Sequence, residues 1–158
     1  MHLLDHVVVP IADRKDAVAT AEALNPHLHS ISRVTAVHVI EKRSGIPDKA
    51  PVEKRQRDAA HFLSVFDTHL DKDVDIDVQT SFGNDVADQI IETAVDAEAT
   101  AIAFHPRGGS RLVRLLTGST AARLVGNGVV PVVSLSRRPQ REGLRKQPPE
   151  STDGEVRG

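Results

Sequence analysis

The chain has 158 residues, is 39% apolar and carries a formal charge of −2 at neutral pH, which is enough for one domain with a core of its own. It has no cysteine, Tyr or Trp and only four Phe; this excludes disulfides and thiolate metal sites, and argues against the aromatic platforms that stack single-stranded nucleic acid. Residues 137–158 carry six basic and four acidic side chains and little that can pack, so the body at 1–136 has fourteen basic and eighteen acidic residues, net −4. That sign disfavours nucleic acid as a partner, and the tail is expected to be disordered beside a single domain at 1–136. No apolar run approaches the roughly 18–20 residues of a membrane span, and no signal-peptide pattern opens the chain, so a cytoplasmic protein without a membrane partner is expected.

In chain order, Val7-Val8-Val9 before Pro10 reads as a buried parallel strand. Asp13 and Asp16 suit a helix start, Ala17, Ala21 and Leu24 give its apolar face, and Asn25-Pro26 ends it. Residues 31–40 form a second strand, and a polar loop at 41–51 follows, long enough to cover a site. Ala59, Phe62, Leu63, Phe66 and Leu70 form one stripe of a long helix. Val74, Ile76 and Val78 alternate with acidic residues, which predicts an edge strand with one wet face. Gly83-Asn84-Asp85 punctuates before a third helix on Val86, Ile90, Ile91 and Ala94; residues 100–104 and 129–135 supply the fourth and fifth strands, with a helix from Ser119 to Val125 between them. Regular alternation of strand and helix predicts a parallel sheet covered on both faces, with any ligand at the carboxyl ends of the strands.

The most informative stretch is FHPRGGSRLVRLLTGST at 104–120. Gly108 and Gly109 at one end and Gly118-Ser119-Thr120 at the other frame a strand–loop–helix unit. Its amides and hydroxyls suit an anion such as a phosphate. Arg107, Arg111 and Arg114 add positive charge, although arginines on an exposed loop are commonly just solvated.

These features together resemble the universal stress protein (UspA-like) family over residues 3–136. The resemblance rests on Gly108-x9-Gly118-Ser119, Leu115-Leu116-x-Gly-Ser, Val130-Pro131-Val132-Val133, the first-strand ending Val7 to Pro10, His38-Val39 and Gly83. It implies an open, doubly wound, five-stranded parallel α/β sheet of strand order 3-2-1-4-5, Rossmann-like and similar to adenine-nucleotide α-hydrolases. It also implies an ATP site, with Mg2+ as a companion, formed by Pro10, Ile11, Ala12, Val39, His105, Arg107, Gly108, Gly118, Ser119 and Thr120. In that site main-chain groups of Ile11 and Val39 meet the adenine. A homodimer through residues 129–135 is implied as well.

Two positions depart from the family pattern. Nucleotide binders carry an acidic residue where this chain has Ala12, with Asp13 next, and glycine where it has His105. Asp13 has an alternative role as a helix N-cap. His105 precedes a proline, which favours an extended backbone; its ring either meets a ligand or fills the pocket. These departures motivate a second reading, a homodimeric interaction module that has lost ATP. No nucleophile elbow, Walker motif or placed carboxylate pair is present, so an enzyme is not expected, slow ATP hydrolysis aside. His27-x-His29, His2 and His6 read as solvated histidines rather than metal ligands.

Overall fold

A computed structural model describes residues 2–42, 51–71, 73–106 and 119–135. Five strands, β1 (His6–Pro10), β2 (Arg33–Glu41), β3 (Asp75–Gly83), β4 (Ala101–Phe104) and β5 (Val132–Ser134), alternate with helices α1 (Arg14–Leu24), α2 (Val52–Thr68), α3 (Val86–Asp96) and α4 (Ser119–Val125). All strand pairs are parallel, in the order β3-β2-β1-β4-β5. The chain therefore winds outward from β1 through β2 to β3, then crosses back and winds through β4 to β5. Right-handed crossovers in the two directions place helices on opposite faces of the sheet.

Side-chain alternation along β1 shows the two layers. Val7 and Val9 join a core with Ala17, Ala21 and Leu24 of α1 and Leu63 and Phe66 of α2. Val8 points the other way, into a core with Ala87, Ile90 and Ala94 of α3 and Leu124 of α4. All three valines are fully buried, which is why this strand reads as an unbroken apolar run.

Three elements differ from expectation in their limits. The segment after α1 continues as a 3-10 turn, Asn25–Ser30, with Pro26 in its first turn. The edge position of β3 is as expected, but the strand is open on both sides: Ile76 packs only partly on the core and Val78 is 51% exposed. Helices centred on the inner strands leave little cover for an edge. The last strand is shorter than 129–135 because Asn127 captures the approach to it. Its Oδ1 accepts from the amides of Val129 and Val130 at 2.9 and 2.8 Å, so both are held in a loop. Most of the 41–51 loop and the tail lie outside the described residues.

α3 ends in a Schellman motif: the Glu98 amide donates to the Val95 carbonyl and the Ala99 amide to the Ala94 carbonyl. Glu98 therefore holds φ of 53°, a conformation that glycine adopts without strain, and it places an anion at the negative end of a helix. Glu98→Gly is expected to raise stability by about 0.5–1 kcal/mol, as read from urea unfolding midpoints.

Candidate functional site

The strand order reverses between β1 and β4, so a crevice opens where those strands end. Beside it, on the α3 face, Pro10, Ile11, Ala12, Val37, Val39, Val86 and Ile90 line a shallow hollow. Each comes from a different constraint. Val37 and Val39 are alternate residues of β2 and share a face; Val86 and Ile90 are one helical turn apart on α3; Pro10 to Ala12 turn from β1 into α1. The lining is apolar, as suits a flat ring rather than a charged group.

The turn at its edge is held by three bonds. The Ile11 amide donates to the Val37 carbonyl at 2.8 Å, which extends the β1–β2 ladder one residue past the strand. Nδ1 of His38 lies 2.7 Å from the Ile11 carbonyl oxygen; a carbonyl only accepts, so Nδ1 carries the proton. The Ala12 amide donates to Asp16 Oδ2 at 2.7 Å. Both main-chain groups of Ile11 are thus engaged within the protein. What Ile11 chiefly presents to a ligand is part of the wall, not the main-chain contact expected of it.

Asp13 is the N-cap of α1, its carboxylate accepting from the Asp16 amide at 2.7 Å. Asp16 is fully buried, bonded to Ala12 and to the Thr20 hydroxyl at 3.2 Å. The same Asp-x-x-Asp arrangement opens α3, where Asp85 caps the Asp88 amide at 2.9 Å. That bond is the main cause that holds the Asp85 carboxyl below its ordinary pKa. Arg123 of α4 reaches across to both acids, pairing with Asp85 and, at 2.6 Å, with Asp88. It thereby ties α4 to the start of α3.

His105 directly follows β4 and is buried at 8% exposure, beside Phe104 at 3%. His105 is not among the residues that line the hollow. Ser119 and Thr120 begin α4, Ser119 exposed and Thr120 half-buried. Arg107, Gly108 and Gly118 lie outside the described residues. The hollow therefore assembles Pro10, Ile11, Ala12 and Val39 from the expected set, and adds Val37, Val86 and Ile90. The second-strand run at 31–40 and the apolar face of α3 carried those three as core positions only. Asp16 was visible as a helix-start acid; its backward bond to Ala12 was not. Among the described residues no group of three potential metal ligands forms, and no helix is long and apolar enough to cross a membrane.

Burial is the main cause that lowers the pKa of both His38 and His6 from the ordinary 6.5. Each is held neutral in the fold while the unfolded chain protonates it. Stability is therefore complete above about pH 6.5 and falls as pH drops from there towards the lowered folded values. Asp85 works in a lower window, its contribution present above 3.8 and lost as pH falls through its lowered pKa. Between pH 7.5 and 5, urea midpoints are expected to decline, with a smaller decline in His38→Asn, where only the His6 contribution remains.

The family model described as the universal stress protein family matches residues 4–135. Among solved structures, the chain is similar to the universal stress protein from Archaeoglobus fulgidus in complex with dAMP, at 16% identity over 85% of this chain and 100% of that one, TM-score 0.57. It is likewise similar to UspA from Lactobacillus plantarum, at 20% identity over 84% and 98%, TM-score 0.59. A universal stress protein family protein from Arabidopsis thaliana with AMP bound matches at 16% identity over 85% and 92%, TM-score 0.57. No curated protein sequence matches the chain.

Proposed function

The chain belongs to the universal stress protein family, and from that premise we propose that it binds an adenine nucleotide at the carboxyl ends of β1 and β4, with the base in the apolar hollow. The observation that carries this reading is the hollow itself, walled by Pro10, Ile11, Ala12, Val37, Val39, Val86 and Ile90 beside the point where the strand order reverses. Family structures from Archaeoglobus fulgidus and Arabidopsis thaliana were solved with dAMP and AMP, which supports an adenine nucleotide as the ligand class. Val39 lies two residues beyond Val37, the β2 partner of the last residue of β1. In a parallel strand alternate residues direct their main-chain groups to the same side, so Val39 offers its amide and carbonyl to the base edge where β1 has ended.

The phosphates run towards the 104–120 stretch, with the Ser119 and Thr120 hydroxyls as donors and Mg2+, where present, carried on the phosphates. On this reading ATP is the full-length ligand. The protein acts by binding, as a cytoplasmic regulator without turnover, and pairs as a homodimer through residues 129–135, where Val129, in the loop that leads into β5, is 68% exposed.

A second reading is favoured by two observations. Ala12 offers no acid, its amide being taken by Asp16, and a buried His105 stands where nucleotide binders of the family carry glycine. On this reading the domain is an interaction module that has lost ATP.

Calorimetry with AMP and ATP decides between the two. The first reading expects dissociation constants in the micromolar to low millimolar range, about −4 to −8 kcal/mol. It also expects Ile90→Trp, which fills the hollow, to weaken binding at least tenfold. Absence of binding at millimolar nucleotide by folded protein, with affinity appearing in Ala12→Asp/His105→Gly, establishes the second.

A further inference from the structure

We propose that His38 is the positioning residue of the hollow, fixing from behind the sheet the turn that forms the hollow's rim; this rests on the nucleotide reading above. Val37 and Val39 face the hollow, so His38 between them faces the opposite side of the sheet. There its ring meets Phe62 of α2 edge-on, the centroids 5.6 Å apart at 69°, so its orientation is set by packing before any hydrogen bond is considered. From that position Nδ1 reaches the Ile11 carbonyl at 2.7 Å, across 27 residues of sequence.

The other bonds on this turn do not supply the Ile11 carbonyl with a donor. Pro10 has no amide to donate. The Ile11 amide bond to Val37 fixes one end of the residue, and the Ala12 bond to Asp16 is local to the start of α1. The peptide linking Ile11 to Ala12 is one planar unit, held at its amide by Asp16 and at its carbonyl by His38, so without His38 it keeps only one of its two anchors. Ile11 is 2% exposed, so a carbonyl deprived of its donor is costly where it stands; a turn towards water would work against the Ala12–Asp16 bond and shift Ile11 and Ala12 in the wall. His38 acts through that peptide and does not itself touch the base.

The geometry separates close substitutions. Asparagine places an amide N–H where Nδ1–H stands, glutamine places it one bond farther out, and leucine supplies none. AMP affinity is expected to fall about tenfold in His38→Leu and to stay within about threefold of the parent in His38→Asn. His38→Gln is expected to resemble the Leu variant, and takes its place in the comparison should Leu fail to fold. Amide resonances of Ile11 and Ala12 in a 15N-labelled sample should shift in Leu and Gln and hold in Asn. The 15N spectrum of the parent imidazole should show a protonated Nδ1.

Parent-like affinity in folded Leu or Gln variants overturns the proposal, as does an Asn variant as weak as Leu, which would assign the effect to ring packing. If the parent protein binds no AMP, the nucleotide reading fails. The Ile11 and Ala12 resonances then judge His38 separately: the Leu-against-Asn contrast supports positioning, and equal shifts in both refute it.

Discussion

The architecture of the site depends on how the chain leaves β1. A central parallel strand must end and turn into a helix without leaving its buried main-chain groups unsatisfied. Here β2 extends beyond β1 and supplies both partners of the next residue, a carbonyl from Val37 and an imidazole from His38. Everything at the carboxyl edge follows from that. Ile11 stays in the wall, Ala12 is delivered to Asp16, and α1 starts at a fixed angle with Asp13 at its cap. The hollow is the space left between this anchored turn and the first turn of α3.

Two faces of one strand thus serve two purposes. On β2, Val37 and Val39 shape the hollow, while His38 works on the far side, against Phe62 and α2. The α2 layer takes no part in the wall, yet it orients the ring that holds the wall's rim. A fold wound outward from one strand makes such coupling between layers unavoidable, because the central strands are shared by both cores.

Much of this was legible in the sequence. Strand and helix alternation predicted the parallel sheet, the valines of β1 declared a strand buried on both sides, and the alternating β3 segment declared an edge. The family resemblance added the strand order, which periodicity alone does not contain. Less visible were features made by side chains that reach across the sequence. Asn127 shortens β5 by binding the amides of Val129 and Val130, and an apolar run carries no sign of such a capture. His38 looked like part of a family signature, whereas its partner is a carbonyl 27 residues away. Val86 and Ile90 were ordinary core positions until the ends of β1 and β2 were placed beside them. Pattern reports which face a residue occupies; it does not report what stands opposite.

The paired acids at the starts of α1 and α3 also bear on the electrostatics of the crevice. Asp13 with Asp16, and Asp85 with Asp88, give both helices anionic first turns made from the chain's own carboxylates. The positive ends that the helix dipoles would offer are already compensated on either flank of the hollow. Residues 104–120, by contrast, contain three arginines and no acid. At α3 the anionic first turn is itself paired with Arg123, so neither helix start is left as an open anion seat, and a ligand with one apolar and one negative end must find its positive partner elsewhere.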